Sequence, residues 1–292
     1  LEREEVIEAV GFLFSIIRTS TPVLFASFGG LFSERSGVIN IALEGFMLVG
    51  AFVGAVAAWY SGSAWIGLSC AMVAGILFAL FYGFVVVYGK ANQVVAGAAM
   101  NLLAMGMIPF TSHLLFGSSA GTPSLPPGST FSFFPFLLLP LVAMGAWAIF
   151  RFPFGLWLSF AGECPEALDA MGVSVRRVRM MALILCGTLA SLGGATLSLC
   201  LSSGYSRNMV AGRGFIALAA LILGKWKPLY VVVACLFMGT LEAFQIWLQS
   251  SEHREWLPSE LIFALPYLFT LIVLAGFVGK SLAPKALGVA EK

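Results

Sequence analysis

Few ionisable or amide side chains fall inside the apolar stretches of this chain, and each is costly there, so each is a candidate for function with a partner to be found. They are Arg18; Asn40 and Glu44 in SERSGVINIALEGF; Gln93 and Asn101 in ANQVVAGAAMNL; Arg213, flanked by Gly212, Gly214 and Phe215, in NMVAGRGFIALAALILG; and Glu242 in MGTLEAFQ. Asn40 and Glu44 are four apart, which in a helix places them on one face. Amides and carboxylates lining a cavity can hydrogen-bond the hydroxyls and heterocycle edges of a neutral polar solute, which suits a permeation path better than an ion filter. The alternative is glue: interhelical hydrogen bonds for the amides, and for Arg18 an ion pair with a carboxylate or snorkelling to an interface. Convergence of several such residues favours the path.

Other chemistries have little support. The five cysteines are scattered without C-x-x-C spacing, and four lie in apolar segments, where free thiols bury readily. His113 and His253 have no neighbours at ligand spacing, so no metal site is expected. The sequence holds no G-x-S-x-G, H-E-x-x-H or G-x-x-x-x-G-K-[ST], so neither a hydrolase site nor an ATP-binding loop is expected in this chain.

The elements that must position the polar residues are membrane helices. The chain has 292 residues, 60% hydrophobic and 10% charged, with mean hydropathy +0.97, against about 25% charged residues in soluble domains. Several apolar runs reach the roughly 20 residues needed to cross about 30 Å of hydrocarbon, and the alternation of a barrel strand is absent. The expectation is all-α: one polytopic transmembrane bundle over residues 1–292 with about nine spans, at 10–32, 38–60, 64–88, 92–116, 131–150, 178–202, 209–224, 229–250 and 259–279. Glu44 then lies about two turns into the second span, and Asn92, Gln93 and Asn101 lie in the fourth. The seventh span is short, about 16 residues, and opens on glycines, which marks a transporter's path. IAL at 41–43 recurs at 216–218 beside glycines, as in an inverted repeat.

Lys and Arg accumulate in cytoplasmic loops. With 151–179 inside, that side collects eleven of the 16 Lys and Arg, including Arg35, Lys90, Arg151, Arg176, Arg177 and Arg179, so the N-terminus is outside and the C-terminus inside. The acidic LEREEVIEAV is unlike a signal peptide and is expected to be retained. The external loop, 117–131, is rich in Pro, Ser and Gly and reads as irregular. The cytoplasmic loop 151–179 reads as a folded protrusion: Pro165 can start a short helix, PEALDAM, that Gly172 can end.

GGLFSERSGVINIALEGFMLVGAF, ANQVVAGAAMNLLAMG, GECPEALDAMGVSVRRVR with LASLGGATLSL, and NMVAGRGFIALAALILGKWKP occur in order over most of residues 22–228. In these motifs the chain resembles the inner-membrane permeases of bacterial ABC importers for nucleosides and simple sugars, a family related to the ribose and branched-chain amino acid permeases. The resemblance implies partners: a second, homologous permease subunit, an ABC ATPase with two nucleotide-binding domains, and an extracytoplasmic substrate-binding protein. Lipid surrounds the chain, and no nucleic acid is expected. It implies no cofactor in this chain, with ATP and Mg bound by the ATPase, and localisation in the bacterial inner membrane. It also implies that 162–172 is the coupling helix, with Gly162, Glu163, Pro165, Ala167, Asp169 and Gly172 docking to the ATPase. Asn40 and Glu44 stand at the family's N-x-x-x-E-G, Gln93 and Asn101 at A-N-Q-V-V and its following Asn, and Gly212 to Phe215 at G-R-G-F; Glu242 departs from an expected aspartate. Nucleosides are the first-choice substrate, then riboflavin or a simple sugar. The rival class is a proton-coupled secondary carrier using Glu44 or Glu242.

Overall fold

The structure, a computed structural model, describes residues 2–131 except 127, 140–250 except 141, 146 and 149, positions 261, 264–265 and 268–272, and 283–289. The helices are α1 (Glu2–Arg35), α2 (Leu43–Ser61), α3 (Ala64–Gly83), α4 (Gln93–Phe116), α5 (Pro153–Glu163), α6 (Pro165–Ala170), α7 (Val175–Thr196), α8 (Arg213–Leu223) and α9 (Pro228–Ser250). Both α3 and α7 widen into a π-turn at their ends, Phe84–Tyr88 and Leu197–Leu201.

Among the described residues, six helices are long and apolar enough to cross a membrane: Val10–Arg35, Leu43–Ser61, Ala64–Tyr88, Gln93–Phe116, Val175–Leu201 and Pro228–Gln249. The expected spans 131–150 and 259–279 fall largely outside the described residues. The seventh expected span, 209–224, is corrected: its first residues form turns, and α8 has 11 residues, about 16 Å of helix at 1.5 Å per residue, half of what a crossing needs.

Contacts fix the directions. Arg18 meets the carbonyls of Cys200 and Leu201, while Arg179 meets that of Ser36, so α7 runs antiparallel to α1. Ser27 Oγ donates to the Ala217 carbonyl and Trp226 Nε1 donates to Glu34, so α8 runs parallel to α1 from its middle to its Arg35 end. Helix α2 sits at the centre, packed on α3, α4, α7 and α8; 67% of its apolar window is buried, against 28% for α4. The outer faces of α3 and α4 present Leu77, Phe81, Leu102 and Phe110, as a lipid-facing surface requires.

Small residues let the central helices touch backbone to backbone, as in membrane bundles generally. A Cβ on Gly50 would strike the backbone of Ser191, one on Gly194 that of Met47, and Gly75 and Gly187 exclude each other in the same way. Ser191 Oγ donates to the Phe46 carbonyl at 3.1 Å in the same seam.

Residues 117–126 and 128–131 are irregular, with an isolated bridge from Gly121 to Ser206. Pro165 opens α6 in its first turn, and Gly172, at φ +78°, follows its end in the left-handed conformation that glycine adopts freely.

Candidate functional site

Asn40, Glu44, Gln93 and Asn101 gather around the stretch from Ile39 to Gly45. Two expectations are corrected here. Asn40 lies before α2, in a non-helical segment, so it does not share a helical face with Glu44, and Glu44 stands in the first turn of α2, not two turns in. A buried, non-helical backbone must find partners elsewhere, and the amides supply them. Gln93 Oε1 accepts from Ile39 N at 2.7 Å, Asn40 Oδ1 accepts from Ala42 N at 3.0 Å, and Asn101 Oδ1 accepts from Gly45 N at 2.8 Å. Asn101 Nδ2 donates to the Ile41 carbonyl at 2.9 Å, and the Tyr82 hydroxyl donates to that of Ile39 at 2.8 Å. Asn40 Nδ2 reaches Cys186 Sγ at 3.0 Å. Asn92 is not part of the fourth span's interior: it is the N-cap of α4, accepting from Val94 N and Val95 N.

Glu44, 7% exposed, joins this assembly to α8. Its Oε1 accepts from Gly212 N at 2.9 Å and its Oε2 from Gly214 N at 2.8 Å. Both are orphan donors at a helix start, where the helix dipole favours a negative charge. The site is specific to glycine: a Cβ on Gly214 would overlap the Glu44 backbone, and Gly212 has φ +80°. The preceding turn also holds Asn208 and Ala211 at φ +62° and +48°, a left-handed conformation that is uncommon for alanine. Half-helix α8 thus begins deep in the bundle, on the carboxylate of α2.

Arg213 points from the same turn to α9. Its guanidinium donates to the Met209 carbonyl at 2.8 Å and forms an ion pair with Glu242, the two side chains being 19% and 14% exposed. Phe215 beside it is 49% exposed. Arg18 makes its hydrogen bonds, among the described residues, with the carbonyls of Cys200 and Leu201, at 3.3 and 2.9 Å. It serves the carbonyl-rich end of the α7 π-turn, the position a cation favours.

Sequence reasoning singled out Glu44, the run Gly212–Arg213–Gly214 and Glu242 separately; the structure brings the three together across α2, α8 and α9. It missed Tyr82 and Cys186 as partners of the amide-bound segment, and the Glu34–Trp226 bond at 2.6 Å that holds the far end of α8 to α1. The only available signal for the latter was an acidic residue and a tryptophan in separate quoted motifs.

The Arg213–Glu242 pair makes a prediction. In a double-mutant cycle of Arg213→Gln and Glu242→Gln on the detergent-solubilised protein, each single change is expected to lower thermal stability. The coupling should be about 1–3 kcal/mol, as for contacting charges. Strictly additive effects would show that the pair contributes nothing.

The family model described as branched-chain amino acid transport system / permease component matches residues 12–277. The chain is 33% identical over 296 residues to the guanosine ABC transporter permease protein NupQ of Bacillus subtilis, covering 92% of each chain. It is 34% identical over 294 residues to the nucleoside ABC transporter permease protein NupC of Lactococcus lactis, covering 92% of this chain and 93% of that one. Among solved structures it is similar to a metal-chelate type ABC transporter in an inward-facing conformation, with TM-score 0.53, 16% identity, and coverage of 89% of this chain and 85% of that one, a likeness of fold alone. With the family model spanning nearly the whole chain, and membrane-length helices arranged as described, this multi-pass membrane protein belongs to the branched-chain amino acid transport system permease family of ABC transporters.

Proposed function

We propose that the chain is one of two homologous permease subunits of an ATP-driven importer for nucleosides in the bacterial inner membrane. The observation that carries this reading is full-length similarity to permeases named for guanosine and nucleosides, at 33–34% identity. ATP binds to a separate ATPase, which docks on the segment 162–172 through Glu163 at the end of α5 and Pro165, Ala167 and Asp169 of α6, with Gly162 and Gly172 at the ends of the segment. A separate extracytoplasmic protein delivers the solute.

In this reading the passage runs beside the start of α8. Phe215 is exposed and the Arg213–Glu242 pair is partly exposed, which supports their facing the passage. Asn40, Gln93 and Asn101 are buried and bonded to residues 39–45, which supports a role in shaping the passage wall. Gly212, Gly214 and Glu44 tie that wall to α8. ATP binding favours one arrangement of the two permeases over the other, and the solute path opens to one side at a time.

Radiolabelled guanosine uptake is measured in vesicles reconstituted with both permeases, the ATPase and the binding protein. Uptake is expected to require ATP and the ATPase and to survive collapse of the proton gradient. Uptake by this chain alone under a proton gradient would instead make it a secondary carrier. Competition by riboflavin or a simple sugar, without competition by other nucleosides, would move the substrate class.

A further inference from the structure

Four segments distant in sequence converge at the Arg35 end of α1, around Gly37. From α5, Gly162 accepts through its carbonyl from Ala286 N at 2.8 Å, and Gly37 accepts from Gly288 N at 3.0 Å. From α7, Arg179, 4% exposed, donates through Nε to the Ser36 carbonyl at 3.1 Å and through a terminal nitrogen to that of Val289 at 3.2 Å. A Cβ on Gly37 would stand 3.0 Å from the Arg179 guanidinium and 3.1 Å from the Ala286 carbonyl, and one on Gly162 would overlap the Arg35 carbonyl. A Cβ on Gly288, at φ +80°, would stand 2.8 Å from Ile39 Cδ1. The short segment 285–289 therefore ties the base of α6 to the start of the non-helical stretch that leads into α2 and Glu44.

We infer that residues 285–289, locked by Arg179, form a brace that makes the base of α6 and the stretch 37–44 move as one body. The brace delivers displacement of α6 to Glu44 and the start of α8. This inference rests on the reading of α6 as the ATPase contact.

The physical reason is the weakness of the alternatives. Helix α6 packs chiefly on α5 and α7, and it joins α5 through Cys164 alone. Between α5 and α1, among the described residues, the side-chain hydrogen bond is Arg35 to Ser159 at 3.2 Å, with Glu163 acting on the same guanidinium and apolar side chains packing beside it, contacts that can slide. Residues 37–42 have no helical hydrogen-bond ladder of their own, so a push on α5 could be absorbed there by small dihedral changes. Backbone bonds from Gly162 to Ala286 and from Gly288 to Gly37, with the Arg179 fork across Ser36 and Val289, remove that freedom. Gln93 and Tyr82 hold the Ile39 backbone, and the Asn40 bond to Ala42 with the Asn101 bonds to Ile41 and Gly45 continue the fixed path to Glu44. Arg179 and Gly288 are positioning residues with no part in holding solute.

The test uses the full complex in vesicles, with uptake and ATP hydrolysis measured together. Gly288→Val places a side chain against Ile39 in an unfavourable backbone conformation and releases the brace while leaving every bundle helix untouched. Arg179→Lys keeps the charge but loses the fork. For both, uptake per ATP hydrolysed is expected to fall about tenfold, within the range of coupling between sites, while complex yield and basal hydrolysis stay as in the unaltered protein. Docking is read separately, by cross-linking Cys164, exposed at the start of α6, to a cysteine placed on the ATPase. Unchanged uptake per ATP in Gly288→Val would overturn the brace, and so would a fall in uptake that merely follows lost complex in both variants. Failure of Cys164 to cross-link in the unaltered complex would remove the α6 reading and, with it, the brace as a coupling device.

Discussion

Glu44→Gln is expected to lower ATP-dependent uptake about tenfold or more while the chain still inserts and assembles. The glutamate accepts from two backbone donors, Gly212 N and Gly214 N, with one oxygen each. Glutamine has a single acceptor oxygen, so one donor loses its partner and faces an NH2 group, and the charge at the start of α8 disappears. Loss of one charge-assisted bond of this kind costs about 1.5–3 kcal/mol, enough to shift the balance between two permease arrangements by about tenfold or more. The remaining contacts of α8, including Ser27 to Ala217 and Trp226 to Glu34, hold the fold. The measurement is uptake normalised to assembled complex. If uptake per complex is normal and only assembly falls, the carboxylate is glue. Glu44→Asp, one methylene shorter, is expected to be impaired in the same direction, because a bridge that spans both donors needs the full reach.

Gly194→Val is the second large effect. The added Cβ meets the backbone of Met47, which cannot swing aside as a side chain can. Overpacking a core costs about 1–3 kcal/mol when side chains can adjust; here α2 and α7 must separate, which also removes the Ser191 bond to the Phe46 carbonyl. The expected result is loss of most folded, detergent-stable protein on size-exclusion chromatography. Gly106→Ala on α4 is the control: nothing lies within 4 Å of its added Cβ, so it should be neutral or slightly stabilising. Equal yields for the two variants would mean that α2 and α7 are not in backbone contact.

The same residues show how far the sequence could be read. Cost alone marked Glu44, Arg213 and Glu242, because a charge in an apolar run is visible without any partner. Their partners were not visible, since the donors to Glu44 lie 168 and 170 positions away. Asn40 was misplaced because INIAL is apolar enough to extend a helix. The helix starts later because Gln93, Asn40 itself and Asn101 satisfy the backbone of 39–45 from outside, which removes the need for helical bonds there. Residues 209–224 were read as a span because apolar composition does not distinguish a turn from a helix; Ala211 and Gly212 at positive φ turn the chain where Glu44 can accept from it. For Arg18 the sequence left a carboxylate partner and an interface both open, and the structure gives it the carbonyls of Cys200 and Leu201.

By itself the sequence determined the solvent, the class of fold and the punctuation. Some 60% hydrophobic residues in long runs require lipid and therefore helices, and Pro165 and Gly172 bound α6 by their own backbone chemistry. These are local properties, legible one segment at a time. Only the tertiary structure decided which polar groups meet: that Glu44 holds the start of a half-helix, that Arg213 pairs with Glu242, and that Ala286 and Gly288 tie Gly162 to Gly37. Hydrogen bonds and ion pairs act over about 3 Å, and which groups come that close depends on how distant helices pack.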